Sequence, residues 1–168
     1  ADLAQPLMEI KTNLARLEDL VQDHLSLLRV GHLVRTPQDL GAALQNWATA
    51  WQGLAVARGV TLQVEGVATL GQMPFHPSTL HRALLNLVQN ALDAMGPGGT
   101  LTVRGQATAT QVQLHVQDTG VGIPAAQRAR LFEPLYTTKP GGSGLGLYMV
   151  HEIVAAHAGC VTVKSEAG

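Results

Sequence analysis

The sequence predicts an α+β fold, with helices on one face of a mixed sheet, preceded by a long amphipathic helix. Three observations predict it. Residues 1–30 contain no glycine and repeat apolar residues at helical spacing. A strongly amphipathic helix from Pro77 or Ser78 runs directly into two alternating, strand-like segments. A second helix, from about Leu145 to His157, leads to a last alternating run at residues 160–164. Helix-period and strand-period segments interleaved in this way give layers of helix on sheet.

In the first segment, Leu3, Leu7, Ile10, Leu14, Leu17, Val21, His24 and Leu28 follow alternating steps of four and three, an a/d seam broken only by His24. Leu20, Leu25 and Leu27 widen the stripe beyond a single seam, as in a bundle. At ~1.5 Å per residue the arm spans about 45 Å. Its apolar face needs a partner, and a homodimer through residues 1–30 is expected. Gly31 and Pro37 end it. Asp39 or Thr36 is the candidate cap of the next helix, whose buried face carries Leu40, Leu44, Trp47 and Trp51 or Leu54. Residues 60–64 alternate as a strand. The strong helix then carries Leu80, Leu84, Leu87, Val88 and Leu92, and Gly96-Pro97-Gly98-Gly99 closes it. Residues 100–104 and 111–117 read as paired strands.

Of the 168 residues, 46% are apolar, enough for a core and too many for a disordered chain. Eleven Lys+Arg against twelve Asp+Glu leave a net charge of −1, so no basic footprint calls for nucleic acid. No apolar run reaches the ~18–20 residues that span a bilayer, and no secretory signal pattern opens the chain. Cys160 is the single cysteine, which excludes an intrachain disulfide. A soluble segment in a reducing compartment is expected, alone or as part of a longer chain, without direct membrane contact. Some catalytic-looking fragments fail on spacing. His151-Glu152 and His157 are six apart, not the four that put two zinc ligands on one helix face. Neither a G-x-x-x-x-G-K-[ST] phosphate loop nor a G-x-S-x-G elbow occurs. Gly120-Val121-Gly122 comes too late, and too close to Pro124, for a dinucleotide loop.

Four segments carry the chemistry. In Asn86-Leu87-Val88-Gln89-Asn90-Ala91-Leu92-Asp93-Ala94, the polar residues Asn86, Asn90 and Asp93 share one helix face among leucines. Polar groups so placed need partners, and an amide oxygen can ligate Mg²⁺ alongside phosphates. Asp118-Thr119-Gly120-Val121-Gly122-Ile123-Pro124 puts a carboxylate at a strand end, able to accept from an exocyclic amine. The glycines there permit close backbone approach. Leu131-Phe132-Glu133-Pro134-Leu135-Tyr136-Thr137-Thr138-Lys139 joins an aromatic anchor to a segment with one cation. Gly141-Gly142-Ser143-Gly144-Leu145-Gly146-Leu147 opens a helix, whose N–H groups suit phosphate.

In this order the segments resemble the N, G1, F and G2 boxes of the GHKL ATPases. The resemblance is nearest to the ATP-binding catalytic domain of bacterial sensor histidine kinases of the nitrogen-regulation type. It implies a Bergerat fold with ATP beneath a lid, and Mg²⁺ as the metal. By position it implies that Asp118 accepts the adenine amine and that Gly120, Gly122 and Ile123 admit the purine. Asn90 would be the metal ligand and Asn86 would line the phosphate side. Phe132, Thr138 and Lys139 belong to the lid, and Gly142, Ser143, Gly144, Leu145, Gly146 and Leu147 flank the triphosphate. Asn86, Asn90 and Lys139 would stand nearest the reacting phosphate.

The resemblance divides the chain into a dimerisation-hairpin helix (1–31), a linker (32–37) and a catalytic body (38–168). The arm resembles the hairpin's second helix, although Ala1 to Leu7 is also similar to an acceptor motif with alanine at the histidine position. His32 to Pro37 is similar to the acceptor motif too, but has Leu33 where an acid belongs. The acceptor histidine is therefore expected elsewhere. Departures are Asp93, where many of these kinases carry lysine, a short lid over residues 125–141, and a family strand expected beyond residue 168. The implied partners are the remainder of a sensor kinase and a response-regulator receiver domain, with a cytoplasmic location. Two other readings are a nucleotide-binding dimerisation module without autokinase activity and a GHKL ATPase of the mismatch-repair or chaperone type.

Overall fold

In the computed structural model of the chain, the described residues are Leu7, Met8, Leu14, 33–139 and 142–166. Leu7, Met8 and Leu14 are helical and exposed. The other seam positions, Leu3, Ile10, Leu17, Val21, His24 and Leu28, lie outside the described residues, as do His32, Pro140 and Gly141.

The body begins with β1 (Thr36–Asp39), whose last residue caps α1 (Leu40–Ala57). The Asp39 carboxylate accepts from the Ala42 N–H at 2.9 Å, satisfying a first-turn donor as a helix cap should. Leu40, Leu44, Trp51 and Ala55 form the buried face of α1, and Trp47 is half-buried beside them. Thr36, the other candidate cap, is instead a strand residue. It and Pro37 fall in the expected linker (32–37), yet they pair with Phe75 and Pro74 of β3 (Gln72–Phe75).

The main sheet has the order β2-β4-β5, built from Thr61–Glu65, Thr100–Ala107 and Val112–Asp118. β2 and β4 are parallel, so a crossover must join them, and β3 and α2 (Pro77–Ala94) lie within it. β5 returns antiparallel to β4. Leu62 opposes Leu101, Val64 opposes Val103, and Val103 opposes Val116, so one sheet face is apolar. Glu65, Arg104 and His115 line the other, exposed face.

Pro77 occupies the first turn of α2, where its missing N–H costs nothing. Val88, Ala91 and Leu92 pack toward the sheet and α1, while Ala83 packs on Met149, Val150 and Ile153 of α4 (Gly146–Ala156). α2 is therefore held from two sides. Burying each such leucine or valine is worth about 1.5–3 kcal/mol, which fixes its polar edge in space.

One expected strand is absent. Residues 160–164 form no ladder among the described residues. The residue that follows this segment, Ser165, is tied to the loop after β5. The Ser165 hydroxyl accepts from Ile123 N–H at 2.8 Å and the Ser165 carbonyl accepts from Arg128 at 2.8 Å, within the one-turn helix α3 (Ala125–Arg128). Its two valines do not both find a core, since Val161 is half-buried and Val163 is exposed.

Candidate functional site

The wall of the site is the polar edge of α2. Asn86 is half-buried and donates from Nδ2 to the Gly146 carbonyl at 3.3 Å, tying the wall to the first residue of α4. One helical turn on, Asn90 Oδ1 accepts from Lys139 Nζ at 2.8 Å. The same ammonium lies 2.7 Å from Asp93 Oδ2, and Arg58 Nη2 lies 3.3 Å from Asp93 Oδ1. These side chains are 39–45% exposed, so the pairs are screened and worth at most about 1 kcal/mol each. Their weight lies in placement rather than stability.

The floor is the end of β5. Asp118 is its last residue, and Oδ1 accepts from the Gly120 N–H at 2.9 Å. Oδ2 accepts no hydrogen bond from the described residues, so one carboxylate oxygen remains for a donor. A Cβ on Gly120 would lie 2.6 Å from the Ala94 carbonyl oxygen, so only glycine lets this loop pass the end of α2. Val121 N–H donates to that carbonyl at 3.2 Å. Gly122 holds φ +69°, the left-handed region that glycine enters freely. Ile123 is half-buried, its N–H committed to Ser165.

The cover runs from Leu131 to Lys139. Leu131 is buried, and the Phe132 ring sits 5.9 Å from that of His151 on α4. Lys139 is anchored through its backbone, its N–H donating to Thr137 Oγ1 at 3.1 Å and its carbonyl accepting from Gly142 N–H at 3.1 Å. The Gly144 backbone passes so close to Leu135 that a Cβ would lie 2.3 Å from the Leu135 carbonyl carbon. Leu145 is buried, and its N–H donates to Ser143 Oγ at 3.2 Å. Among the described residues no side chain caps α4, which leaves the positive end of an eleven-residue helix facing Asn86.

The four segments thus converge. Asn86 meets Gly146, Asn90 and Asp93 meet Lys139, Gly120 meets Ala94, and Gly144 meets Leu135. Thr138 is exposed and Leu147 half-buried, and neither hydrogen-bonds through its side chain to the other site residues described. A cleft of about 750 Å³ opens between Arg58, Gly59, Met95, Pro97, Asp93 and Lys139. It takes in the cationic side of the site but not Asp118. Arg58 was not foreseen, since only the fold brings the C-terminus of α1 to the end of α2. Elsewhere in the body, burial holds His81 and His157 below the usual imidazole range. His157, a rejected metal ligand, instead bridges two elements, Nδ1–H donating to the Ile153 carbonyl at 2.7 Å and Nε2 accepting from His76 N–H at 3.1 Å.

The chain matches, over residues 75–168, the family described as histidine kinase-, DNA gyrase B-, and HSP90-like ATPase. It is 35% identical over 153 residues to the sensor histidine kinase ZraS of Escherichia coli (strain K12), covering 91% of this chain and 33% of that protein. The crystal structure of full-length ShkA in complex with AMPPNP superposes with a TM-score of 0.83 at 28% identity, over 100% of this chain and 37% of that one. The mycobacterial sensor histidine kinase MprB gives a TM-score of 0.64 at 29% identity, over 74% of this chain and 81% of that one. The chain spans about a third of the length of the curated relatives it matches.

Proposed function

Because the chain belongs to the histidine kinase-, DNA gyrase B-, and HSP90-like ATPase family, we propose that it is the Mg²⁺-ATP-binding catalytic part of a two-component sensor histidine kinase. In that role it passes the γ-phosphoryl group of ATP to a histidine, from which a receiver-domain aspartate takes it. The observation that carries the reading is the convergence of the four segments, above all the bond from Asn86 to Gly146 across 60 residues of sequence. ShkA, with AMPPNP in its structure, supports the choice of nucleotide.

On this reading the unengaged oxygen of Asp118 accepts from the adenine amine, and Gly120 and Gly122 keep the loop clear of the purine. Asn86 fixes the start of α4, whose N–H groups meet the phosphates. Asn90 supplies an amide oxygen to Mg²⁺, and the fit is supported by the ammonium that already rests on that oxygen. The metal, when bound, offsets triphosphate charge. Phosphoryl transfer needs positioning and charge neutralisation more than covalent help from the protein. The acceptor imidazole nitrogen attacks the γ-phosphorus as the bond to ADP breaks.

The arm (1–31) would be a dimerisation-hairpin helix. Leu7 and Leu14, a seam's spacing apart, are 55% and 56% exposed, as the unpaired face of a dimer helix would be. Among the described residues no helix is long and apolar enough to cross a membrane. The test is incubation with labelled ATP, with and without an added hairpin carrying an acceptor histidine. Binding with transfer to the hairpin is expected. Binding with no transfer to any hairpin favours a nucleotide-binding module without kinase activity.

A further inference from the structure

We propose that Asn90 and Asp93 form a two-oxygen cation seat, filled by Lys139 Nζ from the lid and surrendered to the Mg²⁺ that arrives with nucleotide. The proposal rests on the nucleotide-binding reading above and adds to it a second oxygen and a competitor for the metal. Asn90 and Asp93 are three residues apart on α2, so their side chains stand on one face. A single nitrogen lies 2.8 Å from Asn90 Oδ1 and 2.7 Å from Asp93 Oδ2, so both oxygens are aimed at one point. A lysine ammonium is a compact, strongly hydrated point charge. Two oxygens that converge on one such ammonium mark a place that suits a small hard cation. An amide oxygen with a carboxylate oxygen is the donor chemistry Mg²⁺ prefers.

The other carboxylate oxygen of Asp93 is engaged separately, by Arg58 at 3.3 Å. Arg58 therefore orients the carboxylate without occupying the seat. The seat is exclusive, because an ammonium and a divalent ion repel at one pair of oxygens. Exchange needs little motion. The backbone of Lys139 is tied to Thr137 and Gly142, so the side chain can swing away while the lid stays in place. The released ammonium remains beside the phosphates, where its charge is still useful. On this account Asp93 does more than pair with Lys139 and Arg58. It strengthens the metal site and parks the lid cation there between nucleotides.

The experiment titrates Mg²⁺ against a fixed ADP concentration by calorimetry, using the whole chain, Lys139→Met and Asp93→Asn, each checked for folding by circular dichroism. Lys139→Met removes the competitor and should lower the half-saturating Mg²⁺ severalfold. Asp93→Asn removes the charged oxygen and should raise it by about tenfold, the lower end of losses at groups supporting a metal. Opposite shifts support the seat. If Asp93 only tethers Lys139, both variants shift the same way, and that result, or no shift in either, overturns the proposal. ADP binding by the unaltered chain that ignores Mg²⁺ also overturns the seat while leaving nucleotide binding intact. No ADP binding at all refutes the nucleotide reading itself.

Discussion

One added methyl group at either of two neighbouring glycines should have opposite effects on stability. At Gly144 the backbone has φ +69°, and a Cβ would lie 2.3–2.7 Å from the backbone of Leu135. The left-handed conformation alone costs a non-glycine residue about 1–2 kcal/mol, and the lid around Leu135 must also retreat. At Gly146, the first residue of α4, the nearest atoms to a new Cβ are Asn86 Cγ at 3.8 Å and Oδ1 at 3.9 Å, an ordinary contact. In a helix interior alanine is better than glycine by about 0.5–1 kcal/mol, which sets the upper limit of the gain at this first position. Gly146→Ala should therefore raise the melting temperature by about 1–4 °C. Yet if phosphates approach the start of α4, the methyl group stands in their way, and affinity for Mg²⁺-ADP should fall about tenfold or more. Gly144→Ala should lower both quantities. Thermal melting and calorimetry on the two variants read these effects separately. Unchanged affinity in Gly146→Ala refutes the phosphate site at α4, and an unchanged melting temperature in Gly144→Ala refutes the packing of this loop under the lid.

Asp118→Asn keeps the shape but offers a weaker acceptor to the adenine amine, so calorimetry should show ATP affinity reduced at least tenfold; wild-type affinity would remove Asp118 from the adenine site. His157 satisfies both its contacts only when neutral, with the proton on Nδ1, and burial lowers the values of His157 and His81 below 6.5. The unfolded chain then binds more protons, so stability should be full above about pH 6.5 and decline as pH falls below it. His157→Gln should flatten part of that decline in melts from pH 7.5 to 5.5, and a flat wild-type profile would contradict the assignment. Leu7→Glu with Leu14→Glu should yield monomers by light scattering that still bind nucleotide, whereas a wild type monomeric at high concentration would defeat the dimer seam. The chain alone should bind ATP but incorporate little acid-labile phosphate, because none of its seven histidines lies in a complete acceptor motif; rapid labelling lost in His32→Gln or His24→Gln would promote that residue to acceptor.

The elements legible in the sequence are those whose apolar period agrees with their local punctuation. α1 has Asp39 as a cap and leucines at helical spacing, α2 has Pro77 in front and glycines behind, and β4 and β5 alternate cleanly. The β1–β3 pair was hidden because each strand carries a proline, Pro37 and Pro74, which reads as a strand breaker. Both are tolerated in a two-stranded ribbon, where each strand has one neighbour and the far side of its backbone need not pair. Residues 160–164 erred the other way. Alternation was present, but the segment pairs with no strand among the described residues, and its end is held instead by the hydrogen bond between Ser165 and Ile123. The site was legible as four motifs because glycine, asparagine and aspartate at fixed spacings report backbone demands directly. Arg58 was not, since its meeting with Asp93 depends on how two helices end side by side, and no local pattern records that.

The wall and the cover of the site are built to different standards, and this decides which substitutions test chemistry and which merely unfold the chain. Asn86, Asn90 and Asp93 inherit their positions from Ala83, Val88, Ala91 and Leu92, which are buried between the sheet, α1 and α4. Shortening Val88 or Leu92 would leave a cavity costing about 1–5 kcal/mol and would shift all three polar groups together. The cover has far less holding it. Leu131 is its buried residue, Phe132 leans on His151, and Arg130 makes an exposed pair with Glu133 and stacks over Tyr136. Leu135 is 72% exposed with φ +65°, a strained residue held by the close approach of Gly144 to its backbone rather than by burial of its side chain. Contacts so sparse open at small cost. A rigid wall therefore carries the groups that must not move, while the cover carries Lys139, the one side chain whose proposed role requires that it does.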